Sequence, residues 1–132
     1  MTNFRVSEAA ALLGVSDDTV RRWSDAGRLT LRKESGRSVV EGSELAALAQ
    51  ELAAESALAT AFPSSRASAR NRVTGIVTRV TKDGVMAQVD MQAGPFRIVS
   101  LMSREAADDL GLEPGSLATA SVKATNVVIE IP

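Results

Sequence analysis

Two hydrophobic periods follow one another along this chain and predict an α+β protein, with a helical N-terminal half carrying a β-hairpin and then a small barrel of short strands. Three observations carry that expectation. Capped apolar stretches with a period near 3.6 fill the first 62 residues, apolar–polar alternation of period 2 dominates from residue 73 onwards, and Phe62-Pro63-Ser64-Ser65-Arg66 breaks the chain between them. The expected organisation is a helical domain over 1–62, a linker over 63–67 and a β domain over 68–132.

In the first half, Ser7 precedes Ala10, Ala11, Leu12 and Leu13, and Gly14 follows them, which predicts an N-cap, a short helix and a C-terminal glycine. Ser16 then caps a second helix. Val20 and Trp23 fall on one side of it as core residues, and Asp18, Arg21 and Arg22 fall on the other, so the pattern is a helix-turn-helix with a basic outer side. Leu29-Thr30-Leu31-Arg32 and Ser38-Val39-Val40-Glu41 are β-prone runs around Lys33-Glu34-Ser35-Gly36-Arg37, a hairpin of the kind called a wing. Ser43 opens an alanine-rich helix expected to reach about Thr60, with Leu45, Leu48, Leu52, Leu58 and Phe62 forming its stripe.

Charge follows the same elements. Net charge is only -1, yet Arg21, Arg22, Arg28, Arg32, Lys33 and Arg37 face only Asp25 and Glu34 between residues 21 and 37. Such a stripe can neutralise phosphates. With Val6-Ser7-Glu8-Ala9-Ala10 and Thr19-Val20-Arg21-Arg22-Trp23 as its clearest marks, Phe4 to Leu52 resembles the winged helix-turn-helix of the MerR and excisionase group. The resemblance implies a partner in double-stranded DNA, with Thr19, Arg21 and Arg22 as contacts from the second helix and Arg32, Lys33 and Arg37 as contacts from the wing.

The second half reads as strands. Val73 to Thr81 is β-branched, Lys82-Asp83-Gly84 turns the chain, and Val85, Ala87, Val89 and Met91 alternate with Met86, Gln88 and Asp90. A strand from about Phe96 to Leu101, a helix from Ser103 to Gly111, and strands over Leu117–Lys123 and Val127–Ile131 complete five strands with a helix between the third and fourth. That is the order of an OB-type barrel. Phe96 is the one aromatic residue of this half, too few for the base-stacking platforms of single-strand binders.

Composition excludes several chemistries. The chain is 45% apolar and 23% charged, as globular soluble proteins are, and it has neither an apolar run long enough to span a bilayer nor a signal-peptide pattern, so a cytoplasmic protein is expected. It contains no cysteine and no histidine, which removes disulfides, thiol nucleophiles, imidazole ligands and the usual general base. Asp83, Asp90, Glu105, Asp108, Asp109 and Glu113 sit in turns or on polar faces without a nucleophile–base pair, so no catalytic residue and no organic cofactor are expected.

An anion needs donors rather than lone pairs. Ser68-Ala69-Arg70-Asn71 and Lys123-Ala124-Thr125-Asn126-Val127 supply guanidinium, ammonium, hydroxyl and backbone N–H groups in one small domain. These segments, with Leu110-Gly111-Leu112-Glu113-Pro114-Gly115 between them, resemble in order and spacing a Mop domain, the molybdenum-pterin-binding type of the TOBE family. The resemblance implies an OB-like barrel that holds molybdate or tungstate at subunit contacts through Ser68, the backbone at Ala69, Arg70 and Lys123, in a homo-oligomer such as a dimer or hexamer. Several family members have serine where this chain has Ala124, so that ligand falls to Thr125, to a backbone amide, or is not supplied at all. The N-terminus of the short helix at Ser103 and Arg104 is a second conceivable anion site.

Two functions follow as expectations. One is a molybdate- or tungstate-responsive DNA-binding regulator; the other is an intracellular molybdate-binding or storage protein whose N-terminal domain serves assembly or protein contact.

Overall fold

The computed structural model describes residues 2–63 and 66–132, so Ser64 and Ser65 of the expected linker lie outside the described residues. Two compact units divide between Ala61 and Phe62.

The first unit runs β1 (Asn3–Arg5), α1 (Val6–Leu13), α2 (Asp17–Asp25), β2 (Arg32–Glu34), β3 (Arg37–Glu41), α3 (Gly42–Ala54) and α4 (Ala57–Ala61). Gly14 stops α1 in the left-handed region at φ 71°, where an L side chain is disfavoured, and Ser16 caps α2 by accepting from the Thr19 N–H at 3.1 Å. The cap of α1 differs from the expected Ser7. The cap is Arg5 and the helix begins two residues earlier than a Ser7 cap implies, at Val6, because the Glu8 carboxylate accepts from the Arg5 backbone N–H at 3.0 Å and from its guanidinium at 3.2 Å. Val6, Ala9, Ala10, Val20, Leu29, Val40, Leu45 and Leu48 form the core, with Trp23 packed against it.

The wing is tighter than expected: its first strand runs Arg32–Glu34 rather than Leu29–Arg32, and the five-residue connection shortens to Ser35 and Gly36, whose positive φ (51° and 80°) is the backbone of a type I′ turn. A third strand joins it: β1 pairs with β3, giving the order β1-β3-β2. Three residues before a helix carry too little alternation to announce a strand. The trailing helix also departs from the expected run to Thr60, for it breaks at Glu55-Ser56 and leaves Leu58 and Phe62 exposed. Ser56 causes the break, since its hydroxyl accepts from the Leu58 N–H at 3.2 Å and so restarts the helix rather than continuing it.

The second unit comprises β4 (Asn71–Lys82), β5 (Met86–Ala93), β6 (Phe96–Ser103), α5 (Arg104–Asp109), β7 (Leu117–Val122) and a 3-10 turn at Ala124–Asn126. All pairings are antiparallel and the sheet order is β6-β5-β4-β7. Val77, Ala87, Val89, Met91, Ala93 and Ala107 are buried in it. A register shift between Val77 and Arg79 curls β4, and just before it Gly75 passes so close to β5 that an added Cβ would lie 2.3 Å from the Gln92 carbonyl oxygen. The result is a curled α+β half-barrel of the OB-like kind with four strands among the described residues rather than five. Val127–Ile131 was expected as the fifth, but the 3-10 turn ends β7 and the residues beyond it enter no ladder, leaving Val128, Ile129 and Ile131 83%, 83% and 94% exposed. Alternating β-branched residues show strand preference, while a strand also needs an edge to pair with.

Candidate functional site

In the β unit, the two donor-rich segments lie 51 residues apart but converge. Asn71 opens β4 opposite Val122 at the end of β7, and the Asn71 side-chain amide donates to the Val122 carbonyl at 3.1 Å. Arg70 and Lys123 therefore leave the β4–β7 ladder at the same end, and Ser68, Ala69, Ala124 and Thr125 continue from them. The chain then turns, with Asn126 N–H donating to Lys123 O at 2.9 Å and Val127 N–H to Ala124 O at 3.3 Å. The N–H groups of Ala124 and Thr125 precede the first bond of that turn. Ser68, Arg70, Lys123, Ala124 and Thr125 are exposed and Ala69 is half-buried. Neither the Arg70 nor the Lys123 side chain has a hydrogen-bond or ion-pair partner among the described residues. Two cations, two hydroxyls and turn amides thus lie exposed near one end of the β4–β7 ladder, all of them groups able to donate to an anion.

At the second conceivable anion site, Ser103 and Arg104 are both engaged within the fold. Ser103 Oγ is occupied as the cap of α5, accepting from Ala106 N–H at 3.0 Å; Arg104 donates to the Asp83 carbonyl at 3.1 Å and lies 3.7 Å from Asp108. The surrounding hollow also carries Glu105, Asp108 and Asp109, and a Lys82 ion pair holds the Asp108 carboxyl below its ordinary pKa.

The helical unit distributes its cations unevenly. On α2, Thr19 Oγ1 lies 3.0 Å from Ser16 Oγ and accepts from Arg22 at 3.1 Å, while Arg21 is exposed with no partner among the described residues. Arg28, part of the basic stripe in sequence, is committed to the fold: it sits 5.5 Å over the Trp23 ring, bonds Glu55 at 2.9 and 3.1 Å and approaches Glu51, which ties α3 to the end of α2. In the wing, Arg32 donates to Asn3 Oδ1 at 3.0 Å; Lys33 and Arg37 are exposed without partners among the described residues. Sequence reasoning missed Asn3 and Glu55 as partners because they lie 29 and 27 residues from the arginines they hold.

Elsewhere in the β unit Asp90 is buried at 7% exposure, and hydrogen bonds from Gln88 and Arg97 hold its pKa below the usual carboxylate range. The Asp90–Arg97 contact fastens β5 to β6. Among the described residues no group of acids could hold a metal ion, and no helix is long and apolar enough to cross a membrane.

A winged helix-turn-helix followed by an OB-like half-barrel with a donor cluster at one strand end defines a two-part class of protein, and comparison with known proteins agrees on both parts. Residues 4–53 match the helix-turn-helix domain family and residues 67–129 the TOBE domain family. Over 63 residues the chain is 40% identical to molybdenum-pterin-binding protein 3 of Clostridium pasteurianum, covering 47% of this chain and 93% of that protein. It is 34% identical over 105 residues to molybdenum-pterin-binding protein MopA of Rhodobacter capsulatus, covering 79% of this chain but spanning only 39% of that protein's length. A molybdate-binding protein from Sporomusa ovata, of known structure, is 31% identical and matches 51% of this chain and 100% of its own at a TM-score of 0.49. The chain belongs to the TOBE family of molybdenum-pterin-binding proteins, with a helix-turn-helix domain at its N-terminus.

Proposed function

We propose that this protein is a cytoplasmic DNA-binding transcription regulator that responds to molybdate or tungstate, sensing the oxyanion with its β unit and contacting duplex DNA with its helical unit. The observation that carries the first half is the β4–β7 register, which sets Arg70 beside Lys123 at one exposed strand end together with Ser68, Thr125 and the turn amides of Ala124 and Thr125. Relatives named for molybdenum-pterin and molybdate binding support the identity of the anion. Ala69 contributes backbone and Ala124 no hydroxyl, so Thr125 supplies the side-chain oxygen on that side.

Exposure of the cluster supports a site completed by a second copy, because opposite charges in full solvent attract weakly. Apolar surface points the same way. Val128, Ile129 and Ile131 stand almost wholly in solvent, and the concave side of the half-barrel holds a cleft of about 300 Å³ lined by Met91, Ile98, Met102, Leu110 and Leu112. Surface of this kind marks a contact with another chain, and a homo-oligomer would place donors from two protomers around each anion.

For DNA, α2 offers Arg21 and the Thr19–Arg22 pair, and the wing offers Lys33 and Arg37, all exposed or half-exposed. A gel-shift with the duplex upstream of the protein's own gene, run with and without molybdate, tests the reading. A shift whose strength depends on molybdate supports it; no shift at low salt in either state leaves an intracellular molybdate-binding and storage protein as the surviving function.

A further inference from the structure

Arg32 looks, in sequence, like one of three interchangeable wing cations; its surroundings set it apart. Its guanidinium donates to Asn3 Oδ1 at 3.0 Å, and the same Asn3 side chain donates through Nδ2 to Glu34 Oε2 at 2.7 Å. Asn3 lies on β1 while Arg32 and Glu34 lie on β2, so one amide bridges across the intervening β3 and meets both the cation and a neighbouring anion. Beneath the bridge is Val39, opposite both Arg5 and Arg32 in the ladders. Val39 is only 6% exposed although it is outside the core cluster, and by strand alternation it faces away from the buried Val40. A valine on the outer face of a three-stranded sheet is hidden only if long side chains cover it, which the aliphatic stems of arginines do well.

Building on the DNA-binding reading, we propose that Asn3 and Arg32 brace the wing, Asn3 being its positioning residue, and that the wing presents its charge to the phosphate backbone through Lys33 and Arg37 alone. Arg32 is thereby moved out of the set of DNA contacts. Its charge is balanced by Glu34 through Asn3, whereas Lys33 and Arg37 have no partner among the described residues.

Salt dependence separates the two roles, because each phosphate neutralised adds about 0.9 to the slope of log affinity against log salt. Fluorescence anisotropy with the upstream duplex, over a series of salt concentrations on the full chain, compares the wild type with Arg37→Gln, Arg32→Gln and Asn3→Ala. Glutamine keeps a stem over Val39 and a donor for Asn3 while removing the charge. Arg37→Gln should lower the slope by about 0.9, and Arg32→Gln should leave it at the wild-type value. Asn3→Ala should weaken binding by about threefold to tenfold, the scale of one lost hydrogen bond, at every salt concentration with the slope unchanged. A slope reduced equally by Arg32→Gln and Arg37→Gln would overturn the brace while leaving the DNA-binding reading intact. Absence of duplex binding by the wild type would overturn that reading and the brace with it.

Discussion

Gly75 lets β4 pass close to β5 just before the register shift that curls the sheet. A Cβ placed there would lie 2.3 Å from the Gln92 carbonyl oxygen and 2.9 Å from its carbon, both backbone atoms of the neighbouring strand. Ordinary van der Waals contact begins near 3.4 Å, so Gly75→Ala forces β4 and β5 apart by roughly 1 Å at the point where the sheet curls. No side-chain rotation can relieve a backbone clash. Overpacking of this kind costs about 1–3 kcal/mol, and in a unit of this size 1 kcal/mol is worth about 4–8 °C in Tm, so the transition of the β unit should fall by about 5–20 °C. The two compact units need not melt together. Calorimetric scans of the full chain should therefore show one transition moving and the other, from the helical unit, staying in place. A Gly75→Ala protein whose scan overlays the wild type would refute the close approach of β4 to β5 at this point.

Other expectations concern the site, pH and assembly. Arg70→Ala and Lys123→Ala should each weaken molybdate binding about tenfold to a hundredfold, as loss of a charge-assisted contact does, with titration calorimetry as the measurement; unchanged affinity removes that residue from the site. Asp83, Asp90 and Asp108 all have carboxyl pKa values held down in the fold, by the Met86 and Val85 N–H groups, by Gln88 and Arg97, and by Lys82 respectively. A depressed folded pKa contributes stability above the unfolded value of about 3.9 and loses it as pH falls towards the folded value. The β unit should accordingly lose stability on acidification below about pH 4 and change little from pH 5 to 8, as pH-dependent melting would show; a Tm that falls between pH 7 and 5 would contradict this. Light scattering should find the protein oligomeric, and molybdate should raise its Tm by binding the assembled native state; a monomer that binds molybdate tightly would refute a site shared between copies.

Local signals in the chain were legible where the physics is local. Ser16 as a cap, Gly14 as a stop, the Ser35-Gly36 hairpin and the alternation of β5 all rest on residues within a few positions of one another. The Arg70–Lys123 cluster was legible as two motifs, and only the ladder shows that they share a strand end. Partnerships at long range were not. Asn3 with Arg32, and Arg28 with Glu55, look like unrelated polar residues until the sheet and the α2–α3 packing bring them together. The expected fifth strand failed for a similar reason: Val127–Ile131 has the composition of a strand, but pairing requires an edge that the chain beyond the 3-10 turn does not engage.

If the oxyanion and the DNA act on one equilibrium, each must change the affinity of the other by the same factor. Titration calorimetry of molybdate into the free protein and into the protein saturated with its upstream duplex measures that factor directly. Two different molybdate affinities are expected, with a ratio equal to the change in DNA affinity between zero and saturating molybdate. Identical molybdate affinities with and without bound DNA would contradict this.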